Sequence, residues 1–165
     1  MEKSHSYKMK NNFPKIKLLV CDFDGVMTDN RVMVDQDGKE SVICHRGDGL
    51  GIELIKERGV AALVISREKN KVVEERGKKL RICVLSGIDD KIVLFKKEVK
   101  KRGLLMGQVC YIGNDITDLE CIKEAGIGVA VADSHAKVKS TADFVTSKKG
   151  GRGAVREVCD LILQA

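Results

Sequence analysis

Two hydrophobic periods alternate along this chain. Short apolar runs recur at Ile16–Cys21, Val60–Ile65, Arg81–Leu85, Gln108–Ile112 and Gly128–Val131, each stopping at glycine or a polar residue. Runs of this length, rich in Val, Ile and Leu without polar alternation, predict strands buried on both faces. Between them, apolar residues return every three or four positions, which predicts helices. The first helix is expected over 48–59, with Leu50, Leu54 and Ile55 inward and Gly59 as its stop. A second is expected over 68–80 with Val72 and Val73 inward. A third, over 89–102, turns Ile92, Val93, Phe95 and Val99 inward. Gly113 to Asp118 opens a fourth helix running to Ala125. A short helix near 134–139, a weak strand at Phe144-Val145 and a last helix to Leu163 follow. The alternation predicts an α/β fold: a doubly wound, mostly parallel sheet with helices on both faces. One segment departs from it. Arg31–Val34 and Glu40–Ile43 flank Asp35-Gln36-Asp37-Gly38-Lys39, which predicts a β-hairpin inserted after the first strand.

The 165 residues suit one domain, expected over 15–165 after a flexible leader over 1–14. With 43% hydrophobic and 33% charged residues the chain reads as soluble and globular. No apolar run approaches the roughly 20 residues of a membrane span, and the polar start has no signal-peptide core. Six cysteines without a C-x-x-C pair read as free thiols of a reducing cytoplasm. The net charge of +6 suits an anionic small molecule. Scattered lysines and only six aromatic residues argue against nucleic acid.

The first apolar run ends in Asp22-Phe23-Asp24-Gly25. Residues two apart on a strand share a face, so two carboxylates point together at its C-terminal end. They repel unless a proton or cation lies between them. Asp35-Gln36-Asp37-Gly38 repeats the letters without the apolar run and reads as a hairpin tip. Parallel strands gather their C-terminal ends on one edge, where α/β proteins place ligands. Asp22, Ser66 and Asn114 therefore converge there, and Lys91 can join them from a helix start. Taken singly, Ser66 would be a helix cap, Lys91 a solvated charge, and Asn114 and Asp118 caps. Together they suit phosphoryl transfer. Asp22 would attack phosphorus and Asp24 would act as acid, then base. Ser66 and Lys91 would hold phosphoryl oxygens, and Mg²⁺ would sit on oxygens of Asp22, Asp24 and the Asn114/Asp115 region.

These motifs resemble those of the haloacid dehalogenase superfamily of aspartyl-phosphate phosphatases. Asp22 to Thr28 matches its first motif, Ser66 the second, Lys91 the third and Gly113 to Asp118 the fourth. Within it the chain is similar to a small capless branch: 3-deoxy-manno-octulosonate 8-phosphate phosphatases, nonulosonate 9-phosphate phosphatases and C-terminal domains of CMP-sialate synthetases. Gly47 to Ile52, Val131 to Ser134 and Gly150 to Glu157 carry that likeness. The resemblance implies a Rossmann-like sheet with no cap domain, a Mg²⁺-dependent sugar-acid phosphatase, and a homotetramer built through the hairpin. It also implies that Arg152 reaches a neighbour's site.

Three positions depart from the branch pattern. Asn114 stands where the fourth motif usually has Asp, as in the synthetase domains. This makes a non-catalytic assembly module the alternative reading, against which intact Asp24 argues. The second motif reads Ser66-Arg67-Glu68 rather than Thr-Gly-Arg. Glu68, with Arg76 and Lys79, resembles the nonulosonate branch, and Arg67, Glu68, Arg76, Lys79 and Arg152 join the expected substrate contacts. The hairpin exit carries His45, which reads as a packing or interface residue.

Overall fold

The computed structural model describes residues 13–164. The expected leader lies outside them except for its last two residues, and Phe13 is buried edge-on against Phe144.

Six parallel strands form the sheet: β1 (Leu18–Cys21), β4 (Ala61–Ile65), β5 (Cys83–Leu85), β6 (Val109–Gly113), β7 (Ile127–Ala130) and β8 (Phe144–Val145). Their order is β5-β4-β1-β6-β7-β8. β2 (Met33–Val34) and β3 (Glu40–Ser41) form the separate antiparallel hairpin, pairing Met33 with Ser41 and Val34 with Glu40. The helices are α1 (Arg46–Glu57), α2 (Lys71–Leu80), α3 (Lys91–Lys101), α4 (Leu119–Glu124), α5 (Ala136–Thr141) and α6 (Ala154–Leu163).

β1 shows why an unbroken apolar run was needed. Leu19 and Cys21 face one layer with Ile52 and Ile55 of α1 and Val155, Val158 and Cys159 of α6. Leu18 and Val20 face the other, with Phe95 and Val99 of α3, Ile122 of α4 and Val138 of α5. Each of these buried aliphatic or aromatic side chains contributes about 1.5–3 kcal/mol. The chain steps from β1 outward to β4 and β5, then returns to the other side of β1 as β6. That reversal opens a crevice at the carboxyl ends of β1 and β6.

Several boundaries and facings differ from expectation. Helix α1 starts at Arg46 and turns Gly51, Ile52 and Ile55 inward; Leu50 is exposed. In α3 Val93 is exposed while Lys91 and Glu98 are buried. Helix α2 begins only at Lys71, because the Asn70 side chain caps it by accepting from Val72 N–H at 3.0 Å. Glu68 therefore lies on a loop. The fourth expected helix is a 3-10 turn over Ile116–Asp118 that runs into α4. All six cysteines are free, and four are buried: Cys21, Cys110, Cys121 and Cys159. No helix among the described residues is long and apolar enough to cross a membrane.

Candidate active site

β1 delivers Asp22 to the crevice in sheet register, its N–H donating to Ile112 O at 2.9 Å. The chain then folds back on itself. Met27 N–H donates to Phe23 O at 2.9 Å, and the buried Thr28 Oγ1 accepts from Gly25 N–H at 3.1 Å and Asn30 N–H at 3.2 Å. Gly25 sits at φ +82°, and a Cβ there would overlap the Asn114 carboxamide. Only glycine allows the loop to pass this close. The tail packs on the loop's other side, Gly151 N–H donating to Val26 O at 3.0 Å.

Asp22 Oδ1 accepts from Phe23 N–H at 2.7 Å and from Lys91 Nζ at 2.8 Å. Lys91 also reaches Asp118 Oδ1 at 2.8 Å, so one buried ammonium bridges two buried carboxylates. Asp118 is saturated: Oδ1 also accepts from Tyr111 OH at 2.9 Å, and Oδ2 from Asn114 N–H at 3.0 Å and Asp115 N–H at 3.3 Å. It is the anchor of the fourth-motif loop. Burial pushes Asp22 up and Asp118 adds to this against the pull of Lys91, leaving its pKa at about 7. Burial alone would depress Lys91, but Asp22 and Asp118 outweigh it, and its pKa is raised. Half-buried Asp24 is raised by burial, then by Glu68 and Glu40. That direction suits a group that must carry a proton before releasing it.

A cavity of about 210 Å³ brings together Asp22, Asp24, Ser66, Arg67, Glu68, Lys91, Asn114 and Asp115. Ser66 is buried, and its Oγ accepts from Glu68 N–H at 3.2 Å, so it shapes the turn while facing the cavity. Arg76 and Lys79 are not brought there. They line a groove between α1 and α2, and Arg76 Nη2 donates to His45 O at 3.3 Å. Both lie on the face of α2 that borders α1, not on the preceding loop that walls the cavity. Arg152 is exposed, 3.7 Å from Asp29, outside the cavity lining.

The oxygens present fit a hard divalent cation. As placed, the Asn114 carboxamide oxygen lies 3.2 Å from Asp22 Oδ2 and 3.0 Å from the Asp24 main-chain oxygen. Three oxygens facing one another repel unless a cation joins them. The edge of an octahedron with Mg–O of 2.0–2.1 Å is about 2.9 Å, close to both spacings. Turned over, the amide would instead donate to both acceptors. The donors are one carboxylate, one carbonyl and one carboxamide; among the described residues no three His, Cys, Asp or Glu side chains form a metal cluster. Asp115 is exposed, its Oδ1 taken by Ile116 N–H at 2.7 Å, so Asn114 is the better placed of the two for direct contact.

Sequence reasoning missed two contributors. Tyr111 looked like part of an apolar strand, though its hydroxyl signals a buried partner. Asn30, at φ 65°, lies just past the first motif and helps lock its turn by donating its N–H to the motif's Thr28 Oγ1.

A family model described as haloacid dehalogenase-like hydrolase matches residues 53–158. The 3-deoxy-D-manno-octulosonate 8-phosphate phosphatase KdsC of Yersinia pestis is 40% identical over 151 residues, covering 91% of this chain and 81% of that protein. The structure of the Moraxella catarrhalis octulosonate 8-phosphate phosphatase, in complex with magnesium, phosphate and KDO, superposes with a TM-score of 0.92. It is 34% identical and covers 95% of this chain and 91% of that one. The cobalt-bound Haemophilus influenzae phosphatase superposes at 0.89 with 34% identity, covering 93% and 90%.

Proposed function

We propose, from the premise that this chain belongs to the haloacid dehalogenase-like hydrolases, that it hydrolyses the phosphate monoester of a 2-keto-3-deoxy sugar acid through an aspartyl-phosphate on Asp22. It is a Mg²⁺-using phosphomonoester hydrolase. The observation that carries the reading is the Asp22–Lys91–Asp118 arrangement beside Asp24 and Asn114.

Lys91 favours the ionised form of Asp22 and orients it, through two 2.8 Å contacts shared with Asp118. An Asp22 oxygen attacks phosphorus, and the bond from phosphorus to the ester oxygen breaks. Asp24, entering protonated, gives its proton to the departing alkoxide. It then takes a proton from water as the water oxygen bonds to phosphorus and the bond to Asp22 breaks. Ser66 Oγ and Lys91 hold phosphoryl oxygens through the reaction. When bound, Mg²⁺ would rest on Asp22, the Asp24 carbonyl and Asn114, and would neutralise phosphoryl charge.

Octulosonate 8-phosphate is the first substrate choice, after the relatives' names. Glu68 on the cavity wall favours a second reading, a nonulosonate 9-phosphate, whose longer hydroxylated arm offers it donors. We place the enzyme in the cytoplasm, as one domain over 15–165 that assembles as a homotetramer. Support for assembly comes from the hairpin, where Met33 and Ile43 are 72% and 70% exposed. In such an assembly Arg152, Arg76 and Lys79 would serve a neighbour's cavity.

The test is phosphate release with Mg²⁺ from the two esters side by side, with Asp22→Asn as control. Asp22-dependent turnover of either ester supports the enzyme, and the ratio picks the sugar. A folded protein that turns over neither points to the alternative assembly module, with Asn114 as the cause.

A further inference from the structure

A second cavity, about 230 Å³, lies between the hairpin and the start of α2. It shares Asp24, Asn30 and Glu68 with the phosphoryl cavity, so the two meet along the Asp24 wall. Phe23 and Val73 form its apolar floor, and Glu40 on β3 closes the hairpin side. Asn70 fixes that side twice over. Its Oδ1 caps α2, and its Nδ2 donates to Glu40 Oε2. The hairpin is thereby tied to the loop that carries Ser66 and Glu68.

The charge of this cavity is unusual for a protein of net charge +6. Three carboxylates (Asp24, Glu40 and Glu68) line it. Among the described residues its one cation, Arg31, is already paired with Asp29 at 2.8 Å. Glu40 and Glu68 are close enough to raise Asp24 electrostatically. An anion entering here would meet uncompensated negative charge, whereas hydroxyl groups would find strong acceptors. The apolar floor suits the C–H face of a carbon chain.

We infer that this cavity holds the leaving alcohol as a neutral, hydroxyl-bearing arm, and that Glu40 is a specificity residue selecting hydroxyls over anionic groups next to the ester. The inference rests on the proposed phosphatase reaction. Asp24, which protonates the departing oxygen, is the wall the two cavities share, so the departing alcohol extends away from Ser66 and Lys91 into the hairpin-side cavity. An 8-phosphate of a sugar acid meets this demand, because its carboxylate lies at the far end of the chain from the ester.

Steady-state kinetics on wild type, Glu40→Gln and Glu40→Ala test it, using octulosonate 8-phosphate, p-nitrophenyl phosphate, and the matched pair glycerol 3-phosphate and 3-phosphoglycerate. That pair differs by a hydroxymethyl against a carboxylate. The expected result has two parts. Glu40→Ala raises KM for octulosonate 8-phosphate about tenfold and leaves p-nitrophenyl phosphate within about twofold. Wild type prefers glycerol 3-phosphate to 3-phosphoglycerate by at least about tenfold, and Glu40→Gln narrows that preference. Equal loss on all esters would mean a structural role and overturn the inference, as would no change on any. Failure of wild type to hydrolyse every ester, p-nitrophenyl phosphate included, would instead sink the phosphatase reading, and this inference with it.

Discussion

Replacing Lys91 with Met tests the electrostatics on which the site is built. Lys91 is 4% exposed, and each of its two carboxylate contacts is 2.8 Å. At an effective dielectric near 20 each contact is worth about 6 kcal/mol before desolvation. Burying the ammonium and the two acids offsets most of that, and breaking a buried pair typically costs about 3–5 kcal/mol. A second limit comes from titration. Without Lys91 one carboxylate can escape by binding a proton, at about 1.36 kcal/mol for each pH unit above its ordinary value near 3.9. That caps the loss near 5 kcal/mol at pH 7.5 and near 2 kcal/mol at pH 5.5. The sign is fixed: wild-type Asp22, with its pKa at about 7, already carries a proton at pH 5.5, and the folded variant binds one proton more than wild type, so its deficit grows as pH rises. Urea unfolding of wild type and Lys91→Met without metal should give a difference of about 3–5 kcal/mol at pH 7.5 that shrinks below about 2 kcal/mol at pH 5.5. Added Mg²⁺ should raise the melting temperature more in the variant, since a cation on Asp22 replaces part of the lost charge. A variant as stable as wild type at pH 7.5, or one whose deficit grows on acidification, would refute this reasoning.

Other expectations follow from single contacts. Asp48 is buried between α1 and α6, where Oδ1 accepts from Arg156 N–H at 2.9 Å and Oδ2 has no partner. Burial pushes its pKa up from 3.8 to about 6, so stability falls as pH rises through that window. Asp48→Asn should flatten that slope, gain on the order of 1–3 kcal/mol at pH 7.5 in urea melts, and leave phosphatase activity unchanged. Asn114→Asp should bind Mg²⁺ about ten- to a hundredfold tighter by calorimetry, because a second carboxylate joins Asp22, and should melt lower without metal. Gly25→Ala should displace the Asn114 side chain and lower both Mg²⁺ affinity and turnover by at least tenfold.

Much of this site was readable because its chemistry is tied to strand ends. Asp22, Ser66 and Asn114 each follow an apolar run, and a parallel sheet has one place to put such residues. Lys91 was legible as a helix start, although its burial was not: nothing local says that Asp118 waits on the other side. Local signals failed where tertiary contacts decided. Leu50 and Val93 fit a helical stripe yet face outward, while Gly51 and Glu98 are among the buried residues on those helices. The segment Glu68–Asn70 continued an apparent helix, but Ser66 Oγ and the Asn70 cap hold it as a loop. Arg76, Lys79 and Arg152 came only from resemblance, and within one chain they lie outside the cavity. The cavity beside Asp24 was illegible because the hairpin that walls it is a nonlocal partner of α2.

The central claim is covalent chemistry at Asp22, and the most direct measurement is acid quenching of the Mg²⁺-loaded enzyme during turnover of ³²P-labelled substrate, followed by peptide mapping. The account predicts a hydroxylamine-labile phosphoryl group on the peptide bearing Asp22 that is absent in Asp22→Asn. Sustained hydrolysis with no protein-bound phosphate, or label on another residue, would contradict it.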